Sequence, residues 1–202
     1  MKKLVLGSFQ TNCYIIENDK KEVFIVDPGD NGKKINKYLE DNDYKLKAIM
    51  ITHGHIDHIH AVEYLYNIYK CPVYAHQDTI EIAQDSFLNL SATMSTPYVL
   101  DIPMIPASDE FEVIGYKIRW YFLPGHCKGS SMIYLVNKNI MFSGDVLFKG
   151  SIGRYDFPTS SHFDTKKTLE VIKEMDLHCD IYPGHGEATT LDEEKQNNYY
   201  LR

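Results

Sequence analysis

The segment His53-Gly54-His55-Ile56-Asp57-His58 carries four side chains of metal-binding type within six residues. It follows directly on Leu46 to Thr52, a run dominated by apolar residues that predicts a buried strand. From His58 to Tyr69 the apolar residues recur at helical spacing, which predicts a helix. The cluster therefore occupies a strand-to-helix loop, a position where a rigid sheet can aim functional side chains.

The spacing within this cluster has a geometric meaning. His53 and His55 are two residues apart, so an extended backbone presents both imidazoles on the same side. Asp57 and His58 come where the chain turns into the helix, so they can aim at a second point a few ångströms away. Gly54 is expected to let the backbone pass close to bound metals.

Three further motifs, each after a predicted strand and each containing glycine, complete the pattern. They are Pro124-Gly125-His126, Ser143-Gly144-Asp145 and Pro183-Gly184-His185-Gly186. A histidine-rich surface loop would explain the first cluster alone, and each of these motifs is weak by itself. Together they favour a metal centre, since imidazole and carboxylate ligands suit zinc, with iron and manganese as competitors.

Short strands are predicted in two stretches of the chain, each followed by helices. The first stretch has strands at 2–6, 13–17, 23–27, Leu46–Thr52 and Cys71–Ala75, and the second at Phe111–Ile114, Lys117–Phe122, Met132–Val136, Ile140–Phe142 and Ile181–Tyr182. Helices are predicted at 32–41, His58–Tyr69 and Thr165–Met175, and after the capping-box residue Thr190. Residues 85–109 contain three prolines and predict a long loop with short helical pieces that forms a lid or wall of the site. This order indicates two sheets packed face to face with helices outside, in a single domain over residues 1–202.

Composition and charge argue against several classes of function. A formal net charge of −7 argues against partners such as nucleic acid or an anionic membrane that bind through bulk charge. The apolar run Leu4–Leu6 ends at Gly7, too short for a signal peptide, and no stretch approaches the ~18 apolar residues that span a bilayer. We expect a cytoplasmic protein with a small-molecule substrate, and the oligomeric state stays open. Free thiols are expected at Cys13, Cys71, Cys127 and Cys179.

The motifs HGHIDH, PGH, SGD and PGHG, in this order, resemble the metallo-β-lactamase superfamily, and within it the short, single-domain glyoxalase II-like (hydroxyacylglutathione hydrolase-like) hydrolases. The resemblance covers essentially the whole chain. It implies an α+β fold, a four-layer αβ/βα sandwich of two mixed β-sheets flanked by helices. It also implies two Zn²⁺ ions, with Fe or Mn as alternatives at either position. One ion would bind His53, His55 and His126, the other Asp57, His58 and His185, with Asp145 as the bridge.

The activity implied by this resemblance is hydrolysis of a thioester, such as an acylglutathione or a related small acyl compound. A hydroxide that bridges the metals would attack the carbonyl, because coordination lowers the pKa of water from ~15.7 to about 7. Asp57 is the candidate catalytic residue. Arg154 matches the position of a glutathione-contacting lysine in longer glyoxalase II enzymes, and the alternative role is an ion pair with Asp156 or another carboxylate of the loop. Tyr155 is a candidate for the lining of the substrate pocket.

Several features separate this chain from the long glyoxalase II enzymes. The chain ends at Arg202, so we expect no helical carboxy-terminal domain of the kind that adds glutathione contacts. His60 stands where the family commonly has glycine, and Cys127 follows His126 in place of the usual threonine or serine. These departures affect the predicted glutathione specificity and leave the ligand set complete.

Three other functions are compatible with the same residues. A persulfide dioxygenase would use one iron on part of the ligand set, and a lactonase would use the same dizinc chemistry. A non-catalytic metal-binding protein is the alternative from outside the enzymes. His55 argues against a flavodiiron protein, because those relatives carry glutamate at this position.

Overall fold

The computed structural model describes residues 1–202 and contains two six-stranded sheets. The first has the order β1-β2-β3-β4-β5-β6, with β1 Lys2–Leu6, β2 Thr11–Glu17, β3 Glu22–Val26, β4 Lys45–Ile51, β5 Val73–Ala75 and β6 Ile105–Pro106. The second has the order β14-β13-β10-β9-β8-β7, with β7 Glu110–Val113, β8 Tyr116–Phe122, β9 Ser131–Leu135, β10 Ile140–Gly144, β13 Asp180–Pro183 and β14 Thr189–Thr190. A small ribbon of β11 (Leu147–Phe148) and β12 (Ser151–Ile152) follows β10.

Both sheets are mixed. In the first sheet β3, β4, β5 and β6 run parallel, while β1 and β2 pair antiparallel. In the second sheet β10 and β13 are parallel, and the other neighbours are antiparallel. The helices are α1 Gly32–Asp41, α2 Ile56–Ile59, α3 Val62–Tyr69, α4 Gln77–Ala83, α5 His162–Glu174 and α6 Leu191–Asn197. None of them combines the length and apolarity needed to cross a bilayer.

Alternation along the strands builds the four layers. In β3, Val23 and Ile25 face the cluster that contains the apolar sides of α1 and α3, while Phe24 and Val26 face the other sheet. Side chains that alternate between the two faces of a strand allow both faces to be buried. The first sheet is therefore covered by helices on one side and by the second sheet on the other.

The second sheet repeats this arrangement in mirror order. Met141 of β10 packs in a cluster with Ile172 of α5, while Phe142 packs in the layer between the sheets with Tyr14 of β2. The sequence of layers is helix, sheet, sheet, helix. The fold implied by the family resemblance is confirmed.

The predicted elements differ from the structure in several places, and the two-residue strands β6, β11, β12 and β14 were not predicted. The helix predicted over His58–Tyr69 is two helices, α2 and α3, because the N–H of Ala61 donates to the carbonyl of Pro28 at 3.0 Å instead of continuing the helix. Helix α4 was not predicted. The long segment after it is a loop as expected, apart from the two residues of β6, but the short helical pieces predicted within it are absent.

Glu194 is a buried carboxylate in the acidic first turn of α6, which consists of Asp192, Glu193 and Glu194. The capping prediction for Thr190 is confirmed, since its hydroxyl accepts from the N–H of Glu193. Glu194, however, is only 2% exposed. It accepts hydrogen bonds from the N–H of Gly150 at 2.8 Å, from Thr189 Oγ1 at 2.7 Å and from Asn198 Nδ2 at 2.8 Å. The carboxylate therefore ties the turn between β11 and β12 to the C-terminal helix.

Replacing Glu194 by alanine is expected to lower the free energy of unfolding by about 2–3 kcal/mol, because three donors lose their hydrogen bonds to a buried, charged acceptor. The matched variant Glu193→Ala removes an exposed carboxylate from the same turn and is expected to change it by less than about 0.5 kcal/mol. Urea denaturation of both variants measures the difference. Equal stabilities would show that the Glu194 hydrogen bonds contribute nothing.

Candidate metal centre

The seven predicted ligands come together at one edge of the two sheets. Asp145 follows β10 and His185 follows β13, and these strands are parallel neighbours with Gly144 in register with Pro183. Thr11, the first residue of β2 in the first sheet, is joined to this point by a bridge to His185. Because the carboxyl ends of parallel strands share an edge, ligands distant in sequence meet there.

The first cluster is shaped by the start of α2. His55 is the extended residue before the helix, and the rings of His53 and His55 lie 4.7 Å apart. Asp57 and His58 lie in the first turn of α2 and point to a second position, as their spacing predicts. The structure shows another reason for Gly54 than the one expected: a Cβ there would lie 2.8 Å from the carbonyl oxygen of Thr79 in α4.

The donor atoms form three overlapping groups. Within each group the ligand atoms lie within 4.8 Å of one another: His53, His55 and His126; His53, His58 and Asp145; Asp57, His58 and His185. This grouping matches the division of ligands that the resemblance implies, with Asp145 next to both halves. Asp145 Oδ2 lies 3.7 Å from His126 Nε2 and 3.5 Å from His185 Nε2.

The donor set fits a divalent cation. Three of its buried atoms have no hydrogen-bond partner in the protein: His53 Nε2, His55 Nε2 and Asp145 Oδ1. Buried polar atoms in native proteins are nearly always partnered, so three unpartnered ligand atoms in one cluster indicate that these residues suit a bound cation. Gly184 keeps the space open, since a Cβ there would lie 2.3 Å from Asp145 Oδ1.

Burial and charge set the protonation of the ligands. Burial lowers the pKa of His53 well below its ordinary value and that of His55 to about 3, so both imidazoles are neutral and can bind metal. Burial also lowers the pKa of His58, but the charges of Asp57 and Asp145 outweigh it and raise that pKa well above its ordinary value. A divalent cation bound beside these carboxylates would take the place of the proton on His58.

Asp27 supports the centre, although the sequence placed it only at the end of the strand predicted over 23–27 and not among the candidate site residues. It is 2% exposed, and its Oδ2 lies 2.9 Å from His58 Nδ1. Thr52 donates its backbone N–H and its hydroxyl to the same carboxylate, at 2.8 and 2.6 Å. A carboxylate on Nδ1 holds the imidazole with Nε2 free for a metal. The sequence feature that could have indicated this role is the position of Asp27, an aspartate at the end of β3, which is the neighbour of β4.

Two further contacts orient ligands. The Thr11 hydroxyl donates to Asp57 Oδ2 at 2.9 Å. The backbone carbonyl of Arg154 accepts from His126 Nδ1 at 2.7 Å, so the 150–157 loop positions a ligand through its main chain. Neither contact was predicted from sequence, because both join residues far apart in the chain.

A cavity of about 520 Å³ opens above the cluster. Its floor is formed by five of the ligands, His55, Asp57, His126, Asp145 and His185. Its walls are apolar apart from one cation, and they consist of Phe9, Ile56, Leu90, Phe148, Phe157 and Arg154. The cavity is large enough for a small acyl compound.

The two predicted substrate residues behave differently. Arg154 lines the cavity, but its guanidinium forms a two-point ion pair with Asp156 at 2.7 and 2.8 Å. Tyr155 does not line it. The Tyr155 ring packs on His162 with 5.3 Å between centroids and faces a separate cavity beside α5. Arg154 thus meets the requirement of both hypotheses, since it lines the cavity and also pairs with Asp156. Tyr155, in contrast, is turned away from the ligands.

His60 and Cys127 lie outside the ligand groups. His60 Nδ1 is 3.8 Å from Asp30 Oδ1, and its ring contacts Tyr98. Cys127 is fully buried with its Sγ 3.2 Å from Ser130 Oγ. All four cysteines are free thiols, as predicted.

With this geometry established, comparison with known proteins assigns the family. The sequence model of the metallo-beta-lactamase superfamily matches residues 6–185. The chain belongs to this superfamily. Its members bind divalent metals at a His/Asp site, and the match extends from the first strand to the last ligand, His185.

Individual relatives agree with this assignment. The chain is 30% identical to hydroxyacylglutathione hydrolase GloC of Haemophilus influenzae, with 96% of this chain and 94% of the relative covered. Among solved structures it is similar to BLEG-1 B3 metallo-beta-lactamase, with a TM-score of 0.92, 31% identity and coverage of 99% and 98%. It is also similar to TTHA1623 in a di-iron-bound form, with a TM-score of 0.88, 30% identity and full coverage of both chains.

Proposed function

We propose that this member of the superfamily is a metal-dependent thioester hydrolase that acts on an acylglutathione or a related small acyl compound. The observation that carries the proposal is the seven-ligand cluster with its three unpartnered buried donors. Such a set suits two divalent cations. Zinc is the proposed metal, with iron or manganese as alternatives, and the di-iron form of TTHA1623 supports keeping iron.

Two cations held by these ligands would polarise the substrate carbonyl and lower the pKa of water. In the reaction, the water oxygen bonds to the carbonyl carbon and the carbon–sulfur bond breaks. The electron pair of that bond leaves with the sulfur as a thiolate. One proton of the water goes to the thiolate, and the products are a carboxylic acid and a thiol.

Asp57 is the proposed catalytic residue of the chain. The hydrogen bond from Thr11 engages Oδ2 and leaves Oδ1 free to accept the proton from water and pass it to the leaving sulfur. Burial raises the pKa of Asp57, but His58 and His185 outweigh it and hold the pKa below its ordinary value. The carboxylate is therefore ionised before the reaction begins.

The GloC relative supports a glutathione thioester as the substrate to test first. The protein is treated with a chelator, reloaded with Zn²⁺, Fe²⁺ or Mn²⁺, and assayed for bound metal and for hydrolysis of S-lactoylglutathione. We expect two ions per chain, and hydrolysis that disappears on chelation and returns on reloading.

A parallel panel separates the other functions. It contains a lactone, a β-lactam, and glutathione persulfide with oxygen consumption recorded. One iron per chain with oxygen uptake would replace the proposal by a persulfide dioxygenase. Turnover confined to the lactone or the β-lactam would assign that reaction instead, and no turnover with any substrate would favour a non-catalytic metal-binding protein.

A further inference from the structure

The walls of the cavity above the metal centre present apolar side chains to a substrate. Phe157 contacts the rings of His55 and His126 edge-on, with centroids at 5.2 and 5.5 Å, so it stands directly beside the ligands. Phe9, in the turn after β1, is 61% exposed at the mouth. Exposed aromatic side chains around a site offer a surface that an apolar group can cover.

The backbone of Leu90 gives further evidence that the fold maintains this apolar wall. Its φ is +69°, a left-handed conformation that costs energy for a bulky side chain. The loop that carries it is held in place, since Asn89 accepts from the N–H of Ile56 at 2.9 Å and donates to the carbonyl of Tyr98 at 2.9 Å. The chain thus maintains a strained backbone that places a leucine in the wall.

The two basic side chains at the cavity, Arg154 and Lys149, are each paired with a carboxylate. Arg154 is the only lysine or arginine in its lining, and its guanidinium is bound to Asp156 and stacked on Phe157 at 4.5 Å. Lys149, which follows the wall residue Phe148, pairs with Glu187 at 2.6 Å. A carboxylate on the substrate would therefore have to compete with Asp156 for the cation in the lining.

We propose that the site selects its substrate by an apolar acyl group and does not recognise the carboxylates of the thiol carrier. This inference rests on the proposed thioester hydrolysis. The acyl chain would pack between Phe157 and Leu90, while the thiol part would project past Phe9 towards solvent. The substrate class is then a thioester of a medium-length aliphatic or aromatic acid, with the carrier of secondary importance.

The first test measures kcat/KM of the metal-loaded protein on four thioesters. They are the acetyl and hexanoyl thioesters of glutathione and of neutral N-acetylcysteamine. Each buried methylene raises kcat/KM by up to about fourfold. The hexanoyl thioesters should therefore have a kcat/KM at least about tenfold above that of the acetyl thioesters. The two thiols should differ by less than about threefold. A preference for glutathione above tenfold, or no effect of acyl length, would overturn the inference.

Two variants locate the selectivity. Leu90→Gly removes the wall side chain and relieves the left-handed strain, so the melting temperature should not fall. The ratio of hexanoyl to acetyl kcat/KM should drop to below about threefold, because the buried methylenes lose their contact. The matched control Phe163→Ala removes a 65% exposed aromatic residue on α5 and should leave the ratio within twofold. An unchanged ratio in Leu90→Gly contradicts the proposed wall.

Asp156→Asn tests the paired cation. It frees the Arg154 guanidinium beside the cavity, so the kcat/KM for hexanoylglutathione should rise severalfold relative to the N-acetylcysteamine ester. No change in this ratio would show that the ion pair does not suppress carboxylate recognition.

A binding measurement distinguishes the proposed thioester hydrolysis from the proposed selectivity for an apolar acyl group. Calorimetry with S-hexyl-N-acetylcysteamine, a thioether that cannot be hydrolysed, measures the apolar pocket alone. If no thioester is turned over but this thioether binds the wild type more tightly than Leu90→Gly, the proposed hydrolysis fails and the apolar selectivity stands. If thioesters are turned over but the thioether binds both proteins equally, the selectivity fails and the hydrolysis stands.

Discussion

Replacing Asp145 by asparagine is expected to reduce thioester hydrolysis by at least about 10³-fold, because ligands that act as one unit fail together. Asp145 Oδ2 lies within 3.7 Å of His126 Nε2 on one side and within 3.5 Å of His185 Nε2 on the other. Asparagine keeps the shape but removes the negative charge between the two halves. We expect bound metal to fall below two ions per chain.

The matched control for this variant is Asp180→Asn. Asp180 lies on β13, the strand that precedes His185, and it is exposed and outside the cluster. Metal content by mass spectrometry and kcat/KM on the same thioester are measured for both variants. Full metal content together with full activity in Asp145→Asn would refute its role as the shared ligand.

Replacing Asp27 by asparagine is expected to weaken metal binding at the His58 half by about 10- to 100-fold, as is typical for partners that orient a metal ligand. The carboxylate accepts the Nδ1 proton of His58 at 2.9 Å. An amide turned to keep its oxygen on the Thr52 N–H would present its NH₂ group to His58. The imidazole would then favour the tautomer with the proton on Nε2, which cannot bind a metal.

Asp43 provides the control, because it shares the left-handed backbone of Asp27, with φ values of +55° and +50°. Asparagine tolerates this conformation, so neither substitution strains the chain. Asp43→Asn removes an exposed carboxylate and should leave metal binding unchanged. Competitive titration with a chromophoric chelator measures both variants. Equal affinities in Asp27→Asn and the wild type would show that the contact with Asp27 does not orient His58.

The ligand motifs were readable from the sequence because their geometry is local. His53 and His55 lie on one side of an extended segment whatever the rest of the chain does, and Asp57 and His58 take their direction from the first turn of α2. Most of the predicted strands were also recovered, since runs of β-branched and aromatic residues are buried on both faces.

The supporting contacts were not readable, because they join segments that only the folded sheets bring together. Asp27 and His58 are 31 residues apart and meet since β3 and β4 are parallel neighbours. The break between α2 and α3 has the same origin, as the carbonyl of Pro28 competes for the N–H of Ala61. Local propensity contains no information about such a competitor.

The sequence by itself thus determined the candidate ligands of the centre: which imidazoles and carboxylates could bind metal, and that they follow strands. The tertiary structure alone decided what surrounds it. The pairing of Arg154 with Asp156, the turning away of Tyr155 and the strained placement of Leu90 all depend on loop conformation. A ligand's donor atoms are a property of the residue, whereas the shape and charge of a cavity depend on how distant loops pack against each other.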